Sequence, residues 1–389
     1  MKKIYAVICA LSFIFNATSC VKNEDSIKVD KGDDLTIEWN STSAVCVSEE
    51  GVYARIHRLT DENLMCVYED FQGNTYRRKS INNGKSWSEA KVMVPAFFVK
   101  DNAGKKVKIR VANAEFIQLS SGELIYGCNL RPEIDNVFPF TIAVCRSKDF
   151  GETWTDIEYI YQAGKSFKDG CWEPSFLELP NGTIQVYFAN EAPYINSNEQ
   201  EISVIESKDK GETWNNMHQV CFRANFRDGM PVPIIAQDSI YVAIEDNGFN
   251  QFKPYIVKTA IANNWSSPVL ANSLNRIIGI KAQLHNSIYA GAPYLIKTDN
   301  YFVMSYQTNY KRAADWEKST MEVVVSKKPF DMMGGTTRPF SAVPLDKEAK
   351  WNSLMNMGND KVAAIASTNF SGSKIGIWMI IGSIKENKK

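Results

Sequence analysis

Apolar and polar residues alternate along this chain in six segments of similar design. Each segment has a short apolar run, a polar turn and a second apolar run, and the segments begin about 60 residues apart. The runs alternate with a period of two and are rich in β-branched and aromatic residues, which predicts a β-hairpin in each segment. No stretch of comparable length has a helical period. The segments are residues 55–70, 113–129, 173–191, 229–246, 292–308 and 351–368.

The length of this repeat predicts the fold. About 60 residues accommodate four short antiparallel strands, and six such units form a six-bladed β-propeller of the all-β class. No linker or shift in composition divides the chain. We therefore expect one propeller domain over residues 35–389.

A second repeat, eight residues long, lies between the hairpins. Residues 80–87, 147–154 and 207–214 all fit the pattern S-x-[DN]-x-G-x-[ST]-W. Asp or Asn bonds the nearby backbone and Gly tolerates positive φ, so the pattern predicts a tight turn above a buried Trp. It resembles the Asp box, or BNR repeat, of the sialidase superfamily, which implies a sialidase-type propeller. Asp boxes lie on the outer part of a blade, so this resemblance concerns the scaffold and not the activity.

Charge and composition narrow the class of function. The chain has 389 residues, with 44 basic and 44 acidic side chains. Zero net charge argues against a nucleic-acid-binding protein, which normally carries a basic excess. The chain has only three His, and its Cys residues are scattered without a C-x-x-C motif. We therefore predict no metal site and no cofactor, and we expect a monomer.

The first 20 residues have the pattern of an export signal. Lys2 and Lys3 precede an apolar region over residues 4–15, which is too short to span a bilayer. Residues 17–20 (ATSC) resemble a bacterial lipobox, which implies a lipoprotein acylated at Cys20; a plain secretory signal is the alternative. Residues 21–34 are polar and charged, as in a flexible tether. We expect an exported protein held by lipid alone to a bacterial (outer) membrane, facing the periplasm or the cell surface.

Polar residues at the ends of the hairpin strands predict the position of a functional site. The innermost strand of each blade borders the central channel, and the start of the first strand lies beside the end of the second. Residues that open and close the segments therefore converge on one mouth, where amides, carboxylates and aromatic rings suit a saccharide. The predicted substrate-binding residues are Arg55, Asp70, Asn113, Asn129, Arg131, Trp172, Glu191, Asp228, Tyr294, Tyr306, Gln307 and Trp351.

The pattern of a sialidase is only partly present at these positions. Sialidases hold a substrate carboxylate with three arginines and attack with a Tyr–Glu pair. Arg55 matches the first arginine, and Arg131 and Arg276 could complete the set, although no motif surrounds them. The position of the sialidase Tyr reads Trp351, whose indole has no ionisable oxygen for nucleophilic attack. An exo-α-sialidase (neuraminidase) is therefore an alternative and not the first expectation.

A closer resemblance is to glycoside hydrolase family 93, a family of six-bladed exo-arabinanases. Residues 172–174 (W-E-P) and 228–231 (D-G-M-P) are similar to motifs of that family, and residues 290–295 continue the likeness. The resemblance implies an exo-acting glycosidase that hydrolyses an arabinan-like or other oligosaccharide or polysaccharide. It also implies that Glu173 and Glu245 are the catalytic pair.

Glycoside hydrolysis requires two carboxyl groups, one to protonate the leaving oxygen and one on the anomeric side. Glu173 opens a first strand and Glu245 closes a second strand in the next unit, so both face the same mouth. We expect retention, with Glu173 as acid/base and Glu245 as nucleophile. The reverse assignment stays open, as does replacement of either residue by Asp70 or Glu191. A surface lipoprotein that binds a glycan without cleaving it is an alternative of another class.

Overall fold

Six antiparallel sheets surround a central channel in the computed structural model, which describes residues 34–387. In each sheet, the long strand that borders the channel contacts the corresponding strands of the two neighbouring sheets, and these contacts close the ring. Blade 1 contains β2 (Val52–Arg58), β3 (Leu64–Glu69), β4 (Thr75–Ser80) and β5 (Lys91–Val92). Blade 2 contains β6 (Phe97–Lys100), β7 (Lys106–Gln118), β8 (Leu124–Pro132), β9 (Thr141–Ser147) and β10 (Glu158–Gln162). Blade 3 contains β11 (Cys171–Glu178), β12 (Ile184–Asn190), β13 (Glu201–Ser207) and β14 (Asn215–Phe222).

The other three blades follow the same order from the channel outwards. Blade 4 contains β15 (Asp228–Ala236), β16 (Ser239–Phe249), β17 (Gln251–Ala260) and β19 (Arg276–Ile278), while β18 (Val269–Leu270) joins blade 3 beside β14. Blade 5 contains β20 (Ala290–Lys297), β21 (Phe302–Thr308), β22 (Thr320–Ser326) and β23 (Gly334–Thr337). Blade 6 contains β24 (Ala349–Gly358), β25 (Lys361–Thr368), β26 (Gly376–Glu386) and β1 (Leu35–Ser48). Two 3₁₀ turns, Ala192–Tyr194 and Trp316–Lys318, complete the regular structure.

The predicted all-β, six-bladed propeller is confirmed, with two departures from four strands per blade. Strand β6 adds to the inner side of β7, and β18 extends blade 3 in parallel to β14. Strands in the middle of a blade, such as β12 and β21, are buried at every residue because neighbouring blades cover both faces. The ring closes where β1, from the start of the described chain, pairs antiparallel with β26 at its end.

The six strands that border the channel share one irregularity, which lies near the start of five of them and in the middle of β7. One residue has a positive φ between 48° and 57°, and the pairing register with the second strand shifts at that point. A bulge of this kind bends the strand and re-aims a side chain, at a cost in backbone strain. The six left-handed residues are Tyr53, Asn113, Glu173, Met230, Ala292 and Trp351.

The three octapeptides form equivalent turns that hold neighbouring blades together. In the second, Ser147 Oγ accepts the N–H of Gly151 at 2.9 Å and Asp149 accepts the N–H of Thr153 at 2.9 Å. Gly151 packs on the preceding blade, since a Cβ there would lie 3.1 Å from Met65 Sδ. The other two turns repeat this arrangement, Gly84 against Met379 and Gly211 against Ile125.

The predicted export signal, Cys20 and the tether up to residue 33 lie outside the described residues. None of the helices between residues 34 and 387 has the length and apolar character needed to cross a bilayer. The cysteines of this part of the chain are unpaired, and five of the six are buried.

Candidate active site

A belt of side-chain hydrogen bonds links the blades around the mouth of the channel. In four blades, a polar side chain near the end of the second strand accepts the backbone N–H of the left-handed residue in the next blade. The pairs are Glu69 with Asn113, Glu245 with Ala292, Gln307 with Trp351 and Ser367 with Tyr53. Blade 3 has Ala189 at this position, and the backbone N–H of Met230 is bonded by Glu173 instead.

The left-handed residues themselves form the floor of the mouth. Four of the six side chains pack into an apolar cluster, made of Tyr53, Met230, Ala292 and Trp351. The other two are polar, Asn113 and Glu173. The floor is therefore apolar on one side and carries an amide and a carboxylate on the other.

Glu173 is half-buried on this floor, where its carboxyl group is poorly solvated. Burial raises its pKa to about 7, and the carboxylate of Glu191 acts in the same direction. The guanidinium groups of Arg131 and Arg227 act against this rise. A carboxyl group with a pKa near 7 exchanges a proton readily at neutral pH.

Glu245 lies close enough to Glu173 for the two charges to interact. Burial raises the pKa of Glu245 to about 8, and the Glu173 carboxylate adds to the rise, while the N–H of Ala292, 2.7 Å away, opposes it. Glycines on both sides leave room for this carboxylate, because a Cβ at Gly229 would lie 3.1 Å from Oε1 and one at Gly291 would meet Oε2. The structure thus brings the two predicted catalytic glutamates together.

Four of the predicted substrate-binding residues form one cluster beside Glu173. Arg131 Nε donates to Asn129 Oδ1 at 2.5 Å, and its Nη2 donates to Asn113. Its guanidinium carbon lies 4.8 Å from the centre of the Trp172 ring. Arg131 is only half-buried, so this amide-held cation faces the mouth.

Arg227, which directly precedes blade 4, is the second arginine whose charge acts on the pair of glutamates. Its Nη2 donates to Glu191 and Gln200, and its Nη1 donates to the carbonyl of Asn198 at 3.3 Å. Its charge opposes the raised pKa of both catalytic candidates. Glu191 therefore lies at the site as predicted, where it forms an ion pair with a residue that the sequence analysis missed.

Aromatic rings continue upward from the floor along one side of the mouth. The ring centres of Tyr53 and Trp351 are 6.3 Å apart, those of Trp351 and Trp316 are 6.3 Å apart, and those of Trp316 and Tyr289 are 5.8 Å apart. Trp316 is 41% exposed. Such a wall offers ring faces on which a sugar can stack.

Arg55 and Tyr294, both predicted to bind substrate, lie in a buried layer two residues beyond the floor. Arg55 is 2% exposed, and its guanidinium stacks 3.8 Å from the ring centre of Tyr53. Its Nε lies 3.5 Å from a Glu115 carboxylate oxygen, which also accepts the hydroxyl of Tyr294 at 3.3 Å. Beyond this layer the channel is a cavity of about 430 Å³, lined by the inner strands of all six blades.

Asp228 is also placed away from the mouth. Its side chain is fully buried and accepts Nη1 of Arg276 at 2.9 Å. The same arginine donates through Nε to Asp246 at 3.1 Å. Arg55 and Arg276 are thus both buried against carboxylates, so neither guanidinium is available to hold a substrate carboxylate as in a sialidase.

Of the three other predicted substrate-binding residues, two are held away from the mouth and one lies at it. Asp70 is occupied within its own turn, where it accepts the N–H of Asn74 at 2.9 Å. Tyr306 faces away from the mouth because the strand alternates, and its hydroxyl donates to Glu322 at 2.7 Å in the blade interior. Gln307, the next residue, belongs to the belt at the mouth.

Five residues at the mouth were missed by the sequence analysis. Tyr53 lies two positions before a residue that was selected, and its left-handed φ was not visible in the pattern. The others stand in loops just before or between the predicted hairpins, where no periodicity marks them. They are Gln200, Arg227, Tyr289 and Trp316.

No group of three or more His, Cys, Asp or Glu side chains within residues 34–387 is placed to hold a metal ion. The mouth presents paired carboxyl groups with raised pKa values, two guanidinium groups and a wall of aromatic rings. The carboxyl groups can exchange protons, the guanidinium groups can stabilise negative charge, and the aromatic rings can stack on a sugar ring.

Comparison with known proteins agrees with this architecture. Residues 74–232 match the family model of the BNR repeat-like domain. No curated protein matches the chain. Among solved structures, a protein of unknown function from Dyadobacter fermentans DSM 18053 shares 11% identity at a TM-score of 0.66, over 90% of this chain and 99% of that one.

Two kinds of glycosidase are also similar in structure. An α-L-arabinofuranosidase of Fusarium graminearum, solved with an iminosugar inhibitor, shares 16% identity at a TM-score of 0.64, over 87% of this chain and 97% of that one. The same family 93 enzyme has been solved with arabinobiose. The NanB sialidase of Streptococcus pneumoniae shares 12% identity at a TM-score of 0.58, over 88% of this chain and 70% of that one. The predicted resemblance to both groups is thus confirmed for the fold.

Proposed function

We propose that this protein is an exo-acting glycoside hydrolase that uses Glu173 and Glu245 at the channel mouth. The observation that carries the proposal is the placement of these two carboxyl groups at one mouth, where Glu173 bonds the Met230 N–H, Glu245 lies beside the adjacent Gly229, and burial raises both pKa values. Two such groups in a shared site lose their protons one after the other near neutral pH, so the state with a single proton is populated there. One protonated and one ionised carboxyl group is the state that glycoside hydrolysis requires.

The arginines around the pair support one assignment of roles. Arg131 and Arg227 both favour the ionised form of Glu173, whereas Arg227 is the only arginine that acts on Glu245 in this way. Glu245 is then the proton donor to the leaving oxygen, and Glu173 is the ionised partner. This is the reverse of the assignment expected from the sequence, and it agrees with the alternative that was left open there.

An arabinan-like oligosaccharide is the substrate that we propose first. The similar Fusarium enzyme was solved with arabinobiose, and the W-E-P and D-G-M-P segments place Glu173 and the N–H of Met230 together in this chain. The sialidase alternative is less well supported, because Arg55 and Arg276 are buried and paired with carboxylates.

Incubation with linear arabino-oligosaccharides, other glycans and sialosides tests the proposal. Glu173→Gln and Glu245→Gln should each lower kcat at least about 100-fold, the range for loss of a general acid or base. Glu69→Gln is the matched control, because it changes a belt carboxylate of similarly raised pKa in blade 1 and should retain turnover. Equal turnover in all three variants would refute the pair.

Two further measurements resolve the remaining alternatives. Azide should restore the variant that lacks the ionised carboxylate, and proton NMR of the first product distinguishes retention from inversion. Binding of a glycan in calorimetry without any hydrolysis would instead indicate a non-catalytic glycan-binding protein.

We also propose that Cys20 is acylated and anchors the protein to a bacterial membrane. The support is the sequence 17–20 after the apolar region. In cell fractionation, Cys20→Ser should move the protein from the membrane to the soluble fraction. An unchanged distribution would favour a plain secretory signal or another form of attachment.

A further inference from the structure

The hydroxyl group of Tyr289 has a defined direction of hydrogen bonding. Gln307 Oε1 accepts the backbone N–H of Trp351 at 2.7 Å, so the amide must present its Nε2 on the other side. That Nε2 donates to the Tyr289 hydroxyl oxygen at 2.9 Å. The Tyr289 oxygen is therefore an acceptor in this bond, and its own proton is left for another partner.

The carboxylate of Glu245 is the acceptor placed to receive this proton. Glu245 Oε2 and the Tyr289 hydroxyl oxygen both lie within 2.6 Å of the point where a Cβ of Gly291 would stand. Glycine at this position leaves the space between the two groups free. Within residues 34–387 the Tyr289 hydroxyl donates to no side-chain acceptor in the structure, and the carboxylate of Glu245 is the charge that acts on it most strongly.

The backbone around Tyr289 is held firmly, which orients the ring. Its N–H donates to Asn309 at 3.0 Å and its carbonyl accepts the Thr308 hydroxyl at 2.6 Å. The preceding carbonyl, of Ile288, accepts the buried ammonium of Lys253 at 2.5 Å. These contacts position the phenol without any contribution from Glu245.

We propose that Tyr289 is a positioning residue for Glu245, whose carboxylate it faces across Gly291 with the O–H as donor. The kinetic part of this inference rests on the proposed function, since it assigns Tyr289 to the same reaction. Two hydrogen bonds of the structure lead to this phenol, from the Trp351 N–H to Gln307 and from Gln307 to Tyr289, and the proposed bond to Glu245 extends them.

The consequence concerns the ionisation of Glu245. The groups that face this carboxylate are the Ala292 N–H, the charges of Glu173 and Arg227, and the phenol of Tyr289. A donor stabilises the charged form of a carboxylate, so removing the phenol proton raises the pKa of Glu245 further. Loss of one hydrogen bond to a charged group corresponds to a shift of about one pH unit or more.

Direct titration tests this without depending on catalysis. In protein labelled with ¹³C at the glutamate carboxyl carbon, the Glu245 signal is assigned by its loss in Glu245→Gln. In Tyr289→Phe the titration midpoint of that signal should rise by about one pH unit. Gly291→Ala should produce a similar rise, because its methyl group separates the two groups. An unchanged midpoint in both variants would overturn the proposal, whether or not the protein hydrolyses a glycan.

Tyr187→Phe is the matched control. Tyr187 is also buried and bonded to a glutamine, since its hydroxyl donates to Gln185 Oε1 at 2.6 Å, but it lies in the interior of blade 3. It should leave the Glu245 midpoint unchanged, and a shift equal to that of Tyr289→Phe would show a general effect of losing a buried phenol.

Kinetics then separate positioning from substrate binding. In Tyr289→Phe, kcat at neutral pH should fall because Glu245 becomes a weaker acid, and the alkaline limb of the pH profile that Glu245 governs should move up by about one pH unit, with KM nearly constant. A rise in KM alone, with an unshifted profile, would assign Tyr289 to substrate binding and contradict the positioning role. If the protein hydrolyses none of the glycans, the proposed function fails, while the titration still decides the contact between Tyr289 and Glu245.

Discussion

The carboxylate of Glu245 accepts the backbone N–H of Ala292 at 2.7 Å, so a catalytic candidate also joins two blades of the propeller. Ala292 is the left-handed residue of blade 5, and it is 1% exposed. Its N–H cannot reach water, and an unpaired buried N–H is costly. The structural role of Glu245 needs only an oxygen that accepts this N–H, whereas its proposed catalytic role needs a carboxyl group that can ionise. Substitutions can therefore separate the two roles.

At pH 5, where Glu245 is protonated in the folded state, we expect Glu245→Gln to fold with nearly unchanged stability and Glu245→Ala to be destabilised. A glutamine oxygen can accept the Ala292 N–H, as that of Gln307 does for Trp351 one blade further on. Alanine leaves this N–H without a partner, at a cost of about 1–3 kcal/mol in the free energy of unfolding. Urea denaturation of both variants measures this difference. Equal losses of stability would show that the belt bond contributes little.

The free energy of unfolding should decrease as the pH rises from about 4.5 to about 8. Burial raises the pKa values of Glu69 and Glu173 to about 7 and that of Glu245 to about 8, above their ordinary value of 4.5. The folded state therefore binds these protons more tightly, and that stabilisation is lost as each group ionises. Denaturation midpoints at pH 5 and pH 9 check this. Glu245→Gln should show a smaller decline than the wild type, and an identical decline would contradict the assignment.

Asp228→Asn should lower stability rather than substrate affinity. Asp228 is buried against Arg276, and removing one charge of a buried ion pair typically costs about 3–5 kcal/mol. Thermal unfolding and KM, measured on the same preparation, separate the two effects. An increased KM with unchanged stability would return Asp228 to the substrate-binding set that the sequence predicted.

Gly151→Ala should lower the free energy of unfolding by more than the backbone strain alone would. Its φ is +78°, and an alanine in this conformation costs about 1–2 kcal/mol. The new methyl group would also lie 3.0 Å from the ring of Trp154 and 3.1 Å from Met65 of the preceding blade. Gly182→Ala is the matched control, since its φ is +82° and its Cβ would meet nothing within 4 Å. Equal losses in calorimetry would show that the turn does not hold the two blades together.

The fold was predictable because propeller blades are local structures. The two strands of each hairpin are close to each other in sequence. Strands such as β3 and β12 carry the β-branched and aromatic residues that the two neighbouring blades bury. The catalytic candidates were predictable for a related reason, since antiparallel pairing places the ends of both strands at one mouth. Asp228 and Tyr306 have the right position along the strand, but their side chains face the blade interior.

The composition of the site could not be predicted in the same way. Arg227 and Tyr289 come from connecting segments without periodicity, and their positions depend on contacts with Glu191 and Gln307 in other elements. The left-handed residue in each inner strand also shifts the register, so that simple alternation fails there. Arg55 is an example of this failure. It follows the left-handed Tyr53 by two residues, and its side chain lies beneath the floor against Glu115 instead of at the mouth.

The sequence by itself determined six blades, their order and the two glutamates at one mouth, because these follow from hydrophobic period and strand direction. Only the tertiary structure decided which charges are buried in pairs, which remain at the mouth, and how far burial raises the pKa values of Glu173 and Glu245. The reason is that desolvation and Coulomb interactions depend on distances between residues from different blades. Those distances exist only once the ring has closed.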